Sequence, residues 1–327
     1  MKQAKPAASV SLDLDNKWSY MKTHGDPGWE AFPSYLDVVV PRVLEFLARR
    51  NLTITFFIVG QDAALESNRE ALAAIAAAGH EIGNHSFHHE PWLHRYSCGQ
   101  VDEEIASAEE SIKAATGRCP IGFRGPGFSV SPAVLDVLVR RGYLYDASTF
   151  PTFIGPLARA YYFMTSSLTA GELEQRKALF GTFAEGFRPI RPYRWRTDAG
   201  ELIEVPVTTM PLLRTPIHVS YLLYLGGVSQ ALAQSYFRTA LAMCRWARVQ
   251  PSLLLHPLDF LGSDDTSDLG FFPGMQLRSD RKLALVAMAL DELSRHYEIV
   301  TLQRHAATVA LRPLAVTLAT RAGMAQG

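Results

Sequence analysis

Short apolar stretches alternate with longer amphipathic ones along most of the chain. Residues 8–14 read as a buried strand, and residues 35–50 repeat apolar side chains at the spacing of a helix. Residues 52–59 are rich in β-branched and aromatic types, which is typical of a strand. The same reasoning predicts further strands at 81–84, 121–124, 143–147, 202–207, 252–255 and 298–302, and further helices at 68–78, 101–116, 131–142, 229–247 and 281–296.

This alternation predicts an α/β fold with parallel strands joined by right-handed crossovers. About seven strand–helix units fit one closed or nearly closed barrel, so residues 1–327 are predicted to form a single barrel domain. In such barrels the chemistry belongs to the carboxyl ends of the strands. Six polar residues lie at or just beyond predicted strand ends: Asp13, Asp15, His85, Arg124, Asp146 and His256.

Residues 151–196 interrupt the alternation and are rich in aromatic side chains. A stretch of this length inside a compact domain is usually functional or folded on itself. It is predicted to be a partly helical insertion beside the active-site rim, serving as a lid or a substrate contact. The alternative is a cover for an exposed flank of the barrel.

Charge and cysteine content narrow the class of protein. The chain has 32 basic and 32 acidic side chains, so it lacks the positive field that nucleic-acid binding requires. Cys98, Cys119 and Cys244 are too far apart for a CxxC metal pair and read as reduced thiols. Neither a signal peptide nor a membrane span is evident, which predicts a cytoplasmic protein.

Two acidic and two histidine positions suggest a metal site. Asp13 and Asp15 project on the same side of the end of a strand, because side chains alternate along it. His85 and His89 are four residues apart and would share one face of a helical turn. One carboxylate and two imidazoles suit Zn²⁺, and the second carboxylate is left for proton chemistry.

Each half of this pattern has another reading. An isolated pair of aspartates in this spacing often caps a helix or lies in a solvated turn. His80, His88 and His94 lie close to the other histidines, so the ligand pair is not settled, and His88 is an alternative to His89.

Other residues suggest supporting roles. Arg124, if buried, would hold an aspartate ionised, and the N–H of Gly127 or Phe128 is a candidate oxyanion donor. Trp18 is a candidate platform for a sugar ring. Each also has a plain structural reading, such as a tight turn for the Arg124 to Gly127 run.

Two residues on later strands extend the set of candidates. Asp146 follows a strand and is a candidate supporting partner for a catalytic histidine, or simply a residue that caps a turn. His256 ends an apolar strand before Pro257 and is a candidate general acid, or a structural histidine.

These motifs, in this order, resemble the polysaccharide deacetylase family, the nodulation-type deacetylases of carbohydrate esterase family 4. The resemblance covers residues 9–148 and returns at 253–257. It implies a distorted (β/α)₇ barrel and the hydrolytic removal of an acetyl group from an N-acetylated sugar. It also implies that Asp13 is the base, oriented by Arg124, that Asp15, His85 and His89 bind the metal, and that His256 is the acid.

Two departures from the family pattern keep other functions open. Leu14 separates aspartates that are usually adjacent, as in a subgroup that includes peptidoglycan deacetylases and allantoinase-like amidohydrolases, and Tyr145-Asp146-Ala147-Ser148 lacks the usual Asp-Trp pair. An amidohydrolase for a small amide or cyclic ureide is therefore the alternative enzyme, and a catalytically silent sugar-binding protein is the alternative of another class. The metal is predicted to be Zn²⁺, with Co²⁺, Ni²⁺ and Mn²⁺ as substitutes, and the substrate a lipid-linked or biosynthetic acetamido glycoside that brings the protein to a membrane surface.

Overall fold

The computed structural model describes residues 5–154, 183–266, 268–270, 272 and 274–319. The strands are β1 Ala7–Asp13, β2 Thr55–Ile58, β3 Glu81–Asn84, β4 Gly122–Phe123, β5 Tyr145–Asp146, β6 Tyr193–Arg196, β7 Glu201–Glu204, β8 Ser252–Leu255, β9 Glu298–Val300 and β10 Val316–Leu318. The helices are α1 Lys17–His24, α2 Leu36–Ala48, α3 Gly60–Ala64, α4 Arg69–Ala77, α5 Cys98–Thr116, α6 Pro132–Arg140, α7 Val219–Val228, α8 Gln230–Trp246, α9 Ser279–His296 and α10 Leu302–Ala310.

The sheet confirms the predicted α/β class. Its strands follow the order β10-β6-β7-β5-β4-β3-β2-β1-β8, with β9 paired to β1, and every pairing is parallel except β6 with β7. Beyond β7, the Thr208 N–H donates to the Ser252 carbonyl at 3.0 Å, which links the chain after β7 to β8. Strands β1, β2, β3, β4, β5, β7 and β8 therefore follow one another around a distorted ring.

The ring has an apolar outside and a partly polar inside. On β1, Ala8, Val10 and Leu12 belong to the main apolar cluster, which also contains residues of α2, α4, α8 and α9. The alternate residues Ser11 and Asp13 face the opposite way, where both contact the guanidinium of a residue that follows β4. Since β2 and β3 lie between β1 and β4 in the sheet, these contacts cross the interior of the ring.

Helix α10 covers the end of the ring where the strands begin. The Leu302 N–H donates to Thr55 Oγ1 at 2.8 Å, and the Gln303 N–H donates to Glu81 Oε2 at 2.9 Å. Thr55 and Glu81 are the first residues of β2 and β3. Helix α10 therefore lies at the opposite end of the strands from their carboxyl ends.

The predicted insertion at 151–196 ends inside the sheet. Its last four residues form β6, which pairs with β7 as an antiparallel hairpin. Residues 155–182 lie outside the described part of the chain, so the predicted lid remains a prediction. None of the helices in the described segments combines the length and the apolar character needed to cross a bilayer.

We predict that Gly122→Ala destabilises the fold. A Cβ at this position would lie 2.0 Å from the ring of Tyr145, which is fully buried and donates its hydroxyl to Glu81. Overpacking of this kind typically costs about 1–3 kcal/mol. Gly99→Ala is the control, because a Cβ there meets nothing within 4 Å. Equal urea-unfolding free energies for the two variants would contradict the packing described for the interior.

Candidate metal centre and active site

The register of the sheet brings the first and last sequence motifs together. β1 and β8 are parallel neighbours and align Leu12 with Leu255. The next residue on each strand is Asp13 and His256, respectively. Because neighbouring strands lie about 4.8 Å apart, these two residues leave the sheet side by side at its carboxyl edge.

The same edge collects residues from the middle of the chain. β3 and β4 align Asn84 with Phe123, so the next residues, His85 and Arg124, are also neighbours. The His85 Nδ1 lies 2.6 Å from the Arg124 carbonyl oxygen. A carbonyl can only accept a hydrogen bond, so Nδ1 carries the proton and neutral His85 keeps its lone pair on Nε2.

Asp15, His85 and His89 form a compact cluster of potential ligands. Asp15 Oδ1 lies 2.9 Å from His89 Nε2 and 3.3 Å from His85 Nε2, and one ligand atom from each residue lies within 4.8 Å of the others. Burial opposes ionisation of Asp15, but the adjacent histidines outweigh it and hold the pKa of Asp15 well below its usual range. The donor set of one carboxylate and two imidazoles fits a zinc-type ion, and the hydrogen bond from His85 Nδ1 gives that ligand the fixed tautomer typical of such sites.

The two histidines meet across a bent loop, so the predicted helical turn is wrong. Ser86 and His89 have φ values of 60° and 54°, in the left-handed region that non-glycine residues seldom adopt. Asn84 Oδ1 accepts the Ser86 N–H at 2.8 Å, and Glu104 Oε2 accepts the Phe87 N–H at 3.0 Å. These bonds hold the bend that brings the imidazole rings of His85 and His89 to 5.0 Å.

The loop also directs His88 and His89, the two alternative ligands, to different partners. The His88 side chain is 57% exposed, and its Nδ1 is hydrogen-bonded to Glu104. Only His89 of these two turns towards Asp15. Of the two candidate ligands, the structure therefore favours His89.

Arg124 is fully buried and holds Asp13 from inside the ring. Its Nη1 donates to Asp13 Oδ1 at 2.6 Å and to Ser11 Oγ at 2.8 Å, and its Nε donates to the Ala147 carbonyl at 2.9 Å. The other oxygen, Asp13 Oδ2, lies 4.0 Å from His85 Nε2. One oxygen of Asp13 is thus engaged by the guanidinium, while the other lies on the side of His85.

The turn after Arg124 leaves one of the two predicted oxyanion donors in place. The Phe128 N–H donates to the Gly125 carbonyl at 3.0 Å, so the expectation for Phe128 is wrong. Gly127 has φ 58°, and a Cβ there would lie 3.0 Å from Pro91 Cβ. Glycine therefore suits both the conformation and the close approach, and the Gly127 N–H remains a candidate donor.

Asp146 does not take the predicted role of supporting a catalytic histidine. It is fully buried, and its Oδ1 accepts a short hydrogen bond from Ser148 Oγ, which in turn accepts the Gly125 N–H at 2.8 Å. Burial raises the pKa of both Asp146 and the adjacent Glu204. Asp146 therefore supports the turn after Arg124, not a histidine.

His256 finds its partners elsewhere. Its Nδ1 lies 3.0 Å from Ser220 Oγ, and Ser220 Oγ donates to Asp259 Oδ1 at 2.7 Å. Neither partner was predicted from the sequence. Asp259 had a usable signal, since it lies three residues after His256 in a turn that begins with Pro257. Ser220 had none, because it comes from α7, which the sequence pattern did not reveal.

Trp18 is buried, so the predicted sugar platform is wrong. It is 1% exposed, its indole N–H donates to Asp62 Oδ1 at 2.9 Å, and its ring packs against His89 with centroids 6.4 Å apart. Asp62 Oδ1 also accepts from Asn16 Nδ2 at 2.7 Å. Asn16 follows Asp15 directly, and Trp18 packs on His89. The Asp62 carboxyl therefore holds residues that adjoin two candidate metal ligands, Asp15 and His89.

Comparison with known proteins finds a family profile that matches part of the chain. Residues 23–145 match the family profile described as polysaccharide deacetylase. Over these residues the chain is similar to the polysaccharide deacetylase family. The matched part contains His85, His89, Arg124 and Gly127, while Asp13, Asp15 and His256 lie outside it.

Individual relatives cover different parts of the chain. The peptidoglycan deacetylase of Helicobacter pylori is 30% identical over 112 residues, which is 34% of this chain and 37% of that protein. A crystal structure described as a putative polysaccharide deacetylase from Mycobacterium smegmatis has a TM-score of 0.61 at 19% identity, over 97% of this chain and 96% of the other. PuuE allantoinase has a TM-score of 0.57 at 16% identity, over 94% and 91%. At these identities the two structures support the fold alone.

We predict that Asp62→Asn changes how stability depends on pH. Burial raises the pKa of Asp62 to about 7 in the folded protein, against about 3.9 in an unfolded chain. The stability that this carboxyl contributes in its protonated form is therefore lost as the pH rises from about 4 through 7. Asparagine does not titrate, so the unfolding free energy of the variant relative to wild type should rise over this range, by up to about 4 kcal/mol.

The control for this experiment is the exposed Asp198→Asn, measured by urea unfolding at pH 5 and pH 8 in the same buffers. It should shift little between the two pH values. A difference between Asp62→Asn and wild type that stays constant or falls with pH would contradict the assignment.

Proposed function

We propose that this protein is a metal-dependent hydrolase that removes the N-acetyl group from an acetamido sugar. The observation that carries the proposal is the pairing of two aspartates with separate partners. Asp15 lies against two histidines, while Asp13 is held by a buried arginine and keeps one oxygen towards the same cluster. Amide hydrolysis needs both an ion that activates the carbonyl and a base that accepts a proton from water.

Asp15, His85 and His89 would hold the ion, with Zn²⁺ the best match to a donor set of two imidazoles and one carboxylate, and with Co²⁺, Ni²⁺ or Mn²⁺ as substitutes. When bound, such an ion polarises an acyl oxygen and lowers the pKa of water in its coordination sphere. The fixed Nδ1 proton of His85 and the packing of His89 against Trp18 hold both imidazoles in a ligating orientation.

Asp13 would be the general base. Arg124 binds Oδ1, which fixes the carboxylate and leaves Oδ2 on the side of His85. Because the guanidinium is fully buried, this charge pair is little screened by solvent. Oδ2 is the atom that would take the proton from the attacking water.

Gly127 and His256 would act on the other reacting atoms. The Gly127 N–H would stabilise the negative charge that develops on the acyl oxygen. His256 would protonate the departing amine through Nε2, since its Nδ1 is occupied by Ser220. The amine of the sugar and acetate would leave as the two products.

A second part of the proposal concerns the group to which the acetamido sugar is attached. Phe183 and Phe187 are 58% and 65% exposed and pack on the ring of Phe153. Phe153 follows three residues after Phe150, whose ring packs on that of Phe128. Exposed aromatic rings of this kind suit an apolar group beyond the sugar. We therefore propose a lipid-linked or otherwise apolar acetamido glycoside as the substrate class.

We predict that Asp13→Asn and Asp15→Asn fail in different ways. Asp13→Asn should lower kcat by at least about 10²-fold because it removes the proton acceptor, while bound metal stays near the wild-type amount. Asp15→Asn should lose most of the metal, because a charged ligand is replaced by a neutral amide. Elemental analysis alongside acetate release measures both. Metal loss in Asp13→Asn with retention in Asp15→Asn would exchange the two roles.

We predict that acetate release depends on the class of substrate. Purified wild-type protein with added Zn²⁺ should release acetate from acetamido sugars, and faster from glycosides with an apolar aglycone than from short N-acetylglucosamine oligomers. Allantoin, a cyclic ureide, should not be opened. Ring opening without acetate release would show a ureide hydrolase and contradict the deacetylase proposal. Equal rates on all sugars would contradict the proposal that the substrate carries an apolar aglycone.

A further inference from the structure

The side chain of His256 is tied to two polar residues that the reaction itself does not use. Ser220 is the second residue of α7, and Asp259 ends the short turn Pro257–Asp259. Ser220 Oγ lies 3.0 Å from His256 Nδ1 and 2.7 Å from Asp259 Oδ1. Asp259 Oδ2 also accepts the backbone N–H of His256 at 2.8 Å.

Counting hydrogens assigns the direction of this chain. Both oxygens of Asp259 accept hydrogen bonds, so the single hydroxyl hydrogen of Ser220 points to Asp259. The Ser220 oxygen can then only accept from His256, so Nδ1 must carry a proton. Neutral His256 is therefore held with its proton on Nδ1, and Nε2 is the position that gains and loses the second proton.

The surroundings of the chain keep it in this arrangement. Burial raises the pKa of Asp259, while the charges of His256 and Lys282 and the bonds from His256 and Ser220 oppose that rise. Lys282 is 1% exposed and donates to the Leu258 carbonyl at 2.8 Å, which fixes the turn that carries Asp259. Burial lowers the pKa of His218, whose ring lies 6.3 Å from that of His256, to about 3, so His218 adds no charge to this side.

We propose that Ser220 and Asp259 are positioning residues that fix the tautomer of His256 and aim its Nε2 at the leaving amine. We call the hydrogen-bonded chain His256–Ser220–Asp259 the relay. Its role in catalysis rests on the proposed deacetylase function, but its geometry does not. Asp146 was expected to support a catalytic histidine. In this proposal Ser220 of α7 and Asp259 of the turn after β8 give that support.

The test reads the tautomer directly. The protein has ten histidines, so ¹⁵N-histidine labelling gives a tractable spectrum, with the His256 signals identified by their absence in His256→Gln. In neutral wild-type His256, Nδ1 should show the shift of a protonated nitrogen and Nε2 that of an unprotonated one. Ser220→Ala should lose this bias, and Ser220→Thr, which keeps the hydroxyl, should retain it.

Kinetics on an acetamido sugar supply the second readout. Ser220→Ala should lower kcat by about 10-fold or more with KM within about two-fold, because the binding of substrate does not need the relay. Ser220→Thr should recover most of the loss, and His256→Ala sets the floor. Ser294→Ala is the matched control, since its hydroxyl is exposed and bonds only within α9 in the described contacts.

The two readouts separate the failure of the relay from the failure of the proposed function. An unchanged His256 tautomer in a folded Ser220→Ala protein overturns the relay, whatever the activity. The expected tautomer shift in a protein that releases no acetate from any sugar, even in the wild type, supports the relay and overturns the deacetylase. Loss of tautomer bias together with the kcat loss and its rescue by threonine supports both.

Discussion

The candidate site depends on one buried residue, Arg124. Its guanidinium crosses the interior of the ring to bind Asp13 and Ser11 on β1 and the carbonyl that follows β5, while its own carbonyl fixes the proton of His85. The same residue thus orients the candidate base and one candidate metal ligand. A buried charge is tolerable only when it is paired, and losing one partner of such a pair typically costs about 3–5 kcal/mol.

Around Arg124, each functional side chain is supported by a group that faces away from substrate. Asp62 binds Trp18, which packs on His89, and Asp146 acts through Ser148 on the turn that carries Gly127. Such supporting bonds fix rotamers and tautomers before substrate arrives, which is the usual requirement for a preorganised site. Some buried carboxyls accept backbone N–H groups of neighbouring loops, as Glu104 does from Phe87 and Glu204 from Thr149.

The sequence was sufficient for the parts of the molecule that depend on local pattern. The alternation of apolar strands and helices predicted a parallel sheet, and chemistry-bearing residues placed after strands did reach one edge. The helical turn for His85 and His89 was wrong because spacing alone cannot reveal two residues with positive φ. Trp18 was misread as exposed because burial depends on Phe32 and Asp62, which are distant in the chain.

Two other side chains have partners that the hydrophobic pattern does not indicate. The carboxyl of Asp146 accepts a hydrogen bond from Ser148, and His256 contacts Ser220 of α7, a helix that the hydrophobic pattern did not predict. Ser220 gave no local signal, because it lies 36 residues before His256 in the chain. Hairpin β6–β7 was missed because β6 lies in a stretch whose aromatic residues suggested an insertion.

The most direct test of the account is X-ray absorption at the zinc edge of the wild-type protein loaded with one equivalent of Zn²⁺. We predict two imidazole nitrogens and one carboxylate oxygen at about 2.0–2.2 Å, with no sulfur and room for a further light atom. Failure to bind zinc, or a spectrum dominated by sulfur or lacking imidazole, would contradict the assignment of Asp15, His85 and His89 as the metal centre.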